Sequence, residues 1–161
     1  MKDKIIALLR SNARLAYADM AMELGISENA AAAAVRELEN EGVIRGYTAI
    51  VTDEAPGSET RVKALIEVKV TPNRDGGFDR VARRIAKFPE VTDLCLLSGS
   101  YDLQLTVEGN SLQQVANFVS NKLATIDGVI STSTAFQLKR YKESGMIMQS
   151  DEEYERLKIC F

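Results

Sequence analysis

The apolar positions of this chain keep two different periods, and the change falls between residues 52 and 62. Up to that point they recur at helical spacing. Ile5, Ile6, Leu8 and Leu9 share one face of a first segment, and "YADMAMEL" makes a second that ends at Gly25, a residue suited to the left-handed C-terminal position. Ser27 stands where an N-cap belongs, and Ala31, Val35 and Leu38 follow at i, i+4, i+7 with Ala34 beside them, a narrow buried stripe that stops at Gly42. Three short helices with a tight turn before the third predict a helix-turn-helix. The β-branched and aromatic run "VIRGYTAIV", with Gly46 in its middle, reads as a short strand pair or wing.

Residues 53–61, "DEAPGSETR", are polar and contain Pro56-Gly57, the signature of a linker. Beyond them the period becomes two. In "VKALIEVKV", Val62, Ala64, Ile66, Val68 and Val70 alternate with polar neighbours until Pro72, as in a half-buried strand. A helix is expected from about Gly77 to Phe88 with Val81, Ile85 and Phe88 inward. Two strands, "VTDLCLL" and "YDLQLTVEG", then join at Ser98-Gly99-Ser100. Ser111 and Gln114 form a capping box opening a helix through Leu123, and Asp127-Gly128 turns into a last strand, "VISTSTAFQLKRY". The order βαββαβ predicts an α+β chain: a winged helix-turn-helix over 1–52, a linker over 53–61, and a ferredoxin-like domain over 62–142, with an antiparallel sheet carrying its helices on one face. The tail, 143–161, holds Asp151, Glu152, Glu153 and Glu155 and has room for a short helix.

Composition narrows the function. No apolar run approaches the roughly 18 residues of a membrane span, and the amino terminus lacks a signal-peptide cleavage pattern, so a cytoplasmic protein with no membrane role is expected. Histidine is absent, which removes the usual participant in Ser/His or Cys/His catalysis and in zinc sites. Cys95, in the apolar "DLCLL", reads as core packing, and Cys160 as a tail thiol without a role. A net charge of −3 gives no global attraction to nucleic acid, so DNA binding would have to come from a local surface.

A helix-turn-helix followed by βαββαβ, with "LENEGVIRGYTA" at the junction and "GSYDL" between the central strands, resembles the Lrp/AsnC family of transcription regulators over residues 1 to about 142. The resemblance implies an amino-terminal DNA-binding domain and a carboxy-terminal RAM domain that builds dimers and higher oligomers, commonly octamers, and binds a small effector, commonly an amino acid. It implies no further cofactor. Dimerisation also has a physical motive, since a sheet covered on one face needs a cover for the other. Two winged domains on a dimer would meet two half-sites about a helical turn, or a multiple of it, apart on double-stranded DNA.

The third helix poses a question for that reading. Family recognition helices carry basic residues near their middle, where this chain has Ala33 and Ala34. A helical wheel puts Asn29, Ala33, Arg36 and Asn40 opposite the buried stripe, with Ala32 and Glu37 at its margins. Up to residue 50, six basic side chains face seven acidic ones, a net −1. Three readings stand. The alanines simply favour helix whatever the function. DNA is still bound, with the helix N-terminus, Arg14 and Arg45 at phosphates, Arg36, Asn29 and Asn40 at base edges, Ala32 or Ala33 against thymine methyls, and oligomer avidity in support. Or direct binding has been lost, and the chain is an effector-sensing subunit acting through hetero-oligomers.

The loop "SGSYDL" matches the family's effector loop. Gly99 permits close approach or a positive φ, Ser100 and Tyr101 offer hydroxyls, Tyr101 adds an aromatic wall, and Asp102 can accept hydrogen bonds from an ammonium group. The bland alternative is a turn in which Asp102 ties down its own loop. In the family the last strand helps line the pocket, which adds Thr132 and Thr134; β-propensity alone would also explain them. "RVARR", with Arg80, Arg83 and Arg84, reads as a solvated helix face. Siroheme decarboxylases share this architecture but rely on histidine motifs, which are absent here, so the chain is expected not to be an enzyme.

Overall fold

The computed structural model describes residues 1–52, 61–72 and 77–148 and divides into two compact units, Met1–Ile50 and Val51–Phe161. Most of the expected linker, including Pro56-Gly57, lies outside the described residues, as do the acidic tail residues and Cys160.

The first unit holds α1 (Lys2–Ser11), α2 (Tyr17–Leu24) and α3 (Glu28–Asn40). Ile5, Met20, Ala31, Val35 and Leu38 are buried between them, so the narrow stripe of α3 is the face that packs. The turn joining α2 to α3 is set by local chemistry. Gly25 takes the left-handed conformation at φ +66, which a side chain would strain, and its N–H closes α2 on the Ala21 carbonyl. Ser27 Oγ then accepts the Ala30 N–H at 3.2 Å and starts α3. At the other end Gly42, φ +68, lets the Val43 and Ile44 N–H groups return to the Leu38 carbonyl.

The expected strand pair after Gly42 is corrected: residues 43–52 form no strand among the described residues. Their β-propensity finds no ladder partner among the described residues, and Val43, Tyr47 and Val51 stay about half exposed.

The second unit is an antiparallel four-stranded sheet in the order β2-β3-β1-β4, the ferredoxin-like arrangement, built from β1 (Val62–Val70), β2 (Val91–Leu96), β3 (Leu103–Gly109) and β4 (Val129–Phe136). Ala64, Ile66, Val68 and Val70 of β1 and Leu103, Leu105 and Val107 of β3 meet Val81 and Ile85 of α4 (Asp79–Ile85) and Val115 and Phe118 of α5 (Leu112–Phe118) in one core. The α4 helix is shorter than expected: its last residues relax into a turn, and Phe88 packs edge-on against Phe118 at 5.5 Å from that turn. Ser111 Oγ accepts the Gln114 N–H at 3.1 Å, so the cap forms, while the Gln114 side chain takes the Asn110 N–H. The expected single helix to Leu123 becomes α5 followed by a π-turn, Val119–Leu123. Gly128 is required where it stands. Its φ is +97, and a Cβ there would meet Val81 Cγ2 at 3.1 Å.

One further expectation is revised. Cys95 is exposed, because β2 is an edge strand and the register sets Cys95 opposite Gln104, on the face the helices do not cover. The part of the tail with room for a short helix, 149–161, lies outside the described residues. A small hairpin, β5 (Lys142–Glu143) with β6 (Met146–Ile147), turns through Ser144 and Gly145, both at positive φ.

Candidate DNA-reading face and effector loop

The outer face of α3 is built from what the stripe leaves over. Ala33, Arg36, Glu37, Asn40 and Glu41 line a shallow depression of about 520 Å³. The structure therefore brings together three of the expected DNA-facing residues, Ala33, Arg36 and Asn40, and leaves Asn29 exposed one turn earlier. Ala32 departs from its expected role: it is 8% exposed, so its methyl belongs to the packed side rather than to a surface for thymine. Its carbonyl accepts the Arg36 Nε–H at 3.3 Å, which holds the guanidinium against its own helix. Arg14 is exposed in the α1–α2 connection, and the Arg45 guanidinium lies over Gly42, 3.4 Å from where a Cβ would stand.

Three acidic side chains at the carboxy-terminal end of this helix are engaged by neighbours. Lys2 Nζ reaches Glu41 at 2.8 Å and Glu37 at 3.1 Å, tying the start of α1 to the end of α3, and these carboxylates raise the lysine's pKa, the bond to Glu41 first. Glu39 accepts the Tyr47 hydroxyl at 2.8 Å. Burial first, and that carboxylate second, push the phenol up to about 12. Neither Lys2 nor Tyr47 stood out in the sequence, because their partners are 39 and 8 positions away on the far side of a turn. Three carboxylates near the outer face of α3 are thereby engaged at home, with Lys2, already counted in the net −1, set locally against two of them.

In the second unit the loop Ser98–Asp102 connects β2 to β3. Asp102 is its anchor. One carboxylate oxygen accepts the Val70 N–H at 2.8 Å and the other accepts Lys69 Nζ at 3.1 Å. Its own N–H donates to the Val68 carbonyl at 3.1 Å, and its carbonyl accepts the Leu97 N–H at 2.8 Å. The Val70 N–H first, with Lys69 behind it, holds the Asp102 carboxyl below the usual aspartate range. The turn-locking role set beside the ligand role is thus realised in the isolated chain. Gly99 needs neither of the freedoms expected of it: its φ is not positive, and a Cβ there would meet nothing within 4 Å. Tyr101 is half-buried, while Ser98, Gly99 and Ser100 are exposed.

Register places Thr132 opposite Val68 and Thr134 opposite Ile66, while Ser131 and Ser133 face Lys69 and Glu67 on the other side. Thr132 therefore shares a row with Val68 and Leu103, the residue after the loop, but sits two strand spacings, about 10 Å, from it. One chain does not bring the loop and the two threonines into contact.

A helix-turn-helix unit followed by a ferredoxin-like unit is the two-domain architecture that the resemblance implies. The comparisons agree. Residues 4–45 match the family model of winged helix-turn-helix DNA-binding domains, and residues 63–147 match that of the Lrp/AsnC ligand binding domain. An HTH-type transcriptional regulator of Bacillus subtilis, YugG, is 40% identical over 156 residues, 97% of this chain and 94% of its own. LrpA of Pyrococcus horikoshii is 31% identical over 88% of this chain and 97% of its own. Among solved structures, E. coli AsnC is similar at a TM-score of 0.65 and 25% identity, over 88% of this chain and 93% of its own. Regulator NMB0573 of Neisseria meningitidis, solved as a complex with L-Met, is similar at 0.66 and 25%, over 88% and 90%. The chain belongs to the Lrp/AsnC family: it is a DNA-binding transcription regulator with a ligand-binding domain, and not an enzyme. No described helix is long and apolar enough to cross a membrane.

Proposed function

We propose that this regulator reads double-stranded DNA through the outer face of α3 and that a small amino acid, bound at the Ser98–Asp102 loop where subunits meet, changes how it does so. The observation that carries the effector assignment is the anchored loop. Asp102, fixed to Val70 and Lys69, leaves Ser98, Gly99 and Ser100 exposed and sets Tyr101 beside them, so hydroxyls, backbone N–H groups and an aromatic wall stand together for a zwitterion. Asp102 then serves mainly to position the loop. Thr132 and Thr134 contribute from a neighbouring subunit, because within one chain they are too far from it. The L-Met complex of the meningococcal relative supports an amino acid as the ligand class. The assembly is a homodimer that associates further, to an octamer, and it acts in the cytoplasm. Arg14 and Arg45 hold phosphates, Arg36, Asn29 and Asn40 meet base edges, and Ala33 meets a thymine methyl.

Calorimetry of the full chain against a panel of L-amino acids, L-methionine included, tests the effector site. Binding by the parent, and its loss in Tyr101→Ala with the oligomer unchanged by sedimentation, is expected. Undiminished affinity in Tyr101→Ala would remove the pocket from this loop. The second reading, an effector-sensing subunit that no longer binds DNA itself, draws on Ala33 and the net −1 of residues 1–50. It wins if the folded oligomer fails to bind duplex DNA at low salt.

A further inference from the structure

A dense run of positive charge lies outside the helix-turn-helix, on the first helix of the sheet unit. Arg80, Arg83, Arg84 and Lys87 fall within eight residues that contain no acid, and all four side chains are exposed. The geometry of α4 explains why they cluster. Val81 and Ile85 point into the core, 1% and 0% exposed, which turns the intervening positions outward. Arg80 and Arg84 follow at i and i+4 along the solvent side of α4, and Lys87 extends this stripe from the turn just past the helix. With Asp79 and Asp127 they border an open depression of about 710 Å³. Arg83 is shared with Asp79 at 3.6 Å, whereas Arg80, Arg84 and Lys87 have no partner among the described residues.

Several other cations of the described structure sit with acids: Lys2 with Glu37 and Glu41, Lys122 with Glu90, and Lys63 with Glu108. The α4 stripe breaks that habit in a chain of net charge −3. The reading helix, with Arg36 as its only cation, has the opposite shortage.

We propose that the Arg80, Arg84 and Lys87 stripe is a second, sequence-independent contact to the phosphate backbone of the bound duplex. The inference goes beyond reading at α3 and rests on it. A row of guanidinium and ammonium groups spaced by helical turns suits the regular charge of a duplex edge, and it would supply affinity that α3 lacks while leaving selectivity to Arg36 and its neighbours.

The test is a salt series of fluorescence anisotropy on the full chain and on the triple variant Arg80→Gln/Arg84→Gln/Lys87→Gln. The probes are a long duplex carrying the DNA upstream of the protein's own gene and a scrambled duplex of equal length. Each lost phosphate contact lowers the slope of log K against log salt by about 0.9, so the variant's slope should shrink by roughly 2–3 on both duplexes, with the preference between them unchanged. Arg80→Lys/Arg84→Lys should keep most of the slope, which a structural role for the guanidinium planes would not allow. An unaltered slope in a variant with the parent's circular dichroism melt returns the stripe to solvent and overturns the inference alone. Absence of DNA binding by the parent itself would overturn both this inference and the reading at α3.

Discussion

Arg36 allows the roles of charge and shape at the reading face to be separated. It is the only cation in α3, and it borders the depression that also exposes Ala33 and Asn40. Its Nε–H is held at 3.3 Å by the Ala32 carbonyl, a weak bond at the long end of the usual range, so the fork is free to exchange that partner for a base edge. A bidentate contact to guanine discriminates by about 1–3 kcal/mol, which corresponds to roughly 5- to 150-fold in affinity. Arg36→Ala should therefore weaken binding to the selected duplex by that factor, weaken binding to scrambled DNA much less, and lower the salt slope by about one. Arg36→Lys keeps the charge but not the planar fork; it should hold the slope and still lose most of the preference. The assay is anisotropy titration of both variants on both duplexes over a salt series. If Arg36→Ala binds the selected duplex as the parent does, the outer face of α3 is not the reading surface. If Arg36→Lys retains full preference, Arg36 acts through charge alone.

Other consequences follow from contacts already described. Ser27→Ala removes the acceptor for the Ala30 N–H and should cost about 1 kcal/mol, lowering the helical unit's melting temperature by several degrees; no change in the melt would mean that the cap is dispensable. Gly128→Ala meets both a positive φ and Val81, and a loss of about 1–3 kcal/mol is expected in denaturant unfolding of the sheet unit, with parent-like stability counting against the packing. Asp102 and Glu90 are both held below their usual carboxyl range, Asp102 chiefly by the Val70 N–H and Glu90 chiefly by Lys122. Folded values below unfolded ones mean stabilisation that is complete above about pH 4 to 5 and lost as pH falls through the folded values. Acid unfolding followed by circular dichroism should therefore steepen below that range and flatten in Asp102→Asn; an identical acid limb in the variant would deny Asp102 its anchoring role.

Where a side chain's environment is set by its own element, the sequence made it legible. The period-two run from Val62 to Val70 and the stripe of Ala31, Val35 and Leu38 define buried faces by alternation alone, and Gly25 and Ser27 announce the turn between helices through backbone chemistry. What depended on partners across the fold was hidden. Cys95 has an apolar neighbourhood in sequence, but the strand order puts it on an uncovered edge. The segment around Tyr47 has the propensity of a strand but pairs with no strand among the described residues. The chemistry of Asp102 was ambiguous for a similar reason: only the fold shows that Lys69 and Val70, more than 30 residues earlier, claim both of its oxygens. At α3 the wheel placed Ala33, Arg36 and Asn40 on one face but misjudged Ala32, whose position at the margin of the stripe is decided by packing. The lysine and tyrosine that hold the helix's carboxylates left no sequence signal, since ion pairs between elements carry no periodicity.

The central claim, a ligand-tuned reader of DNA, is met most directly by one titration: the purified oligomer against the DNA upstream of its own gene and a scrambled duplex, each with and without a saturating L-amino-acid panel. Preference for the upstream duplex, shifted in affinity by at least one amino acid and unshifted in Tyr101→Ala, is the expected result. A folded oligomer that binds both duplexes equally, or neither, with or without amino acids, would contradict it.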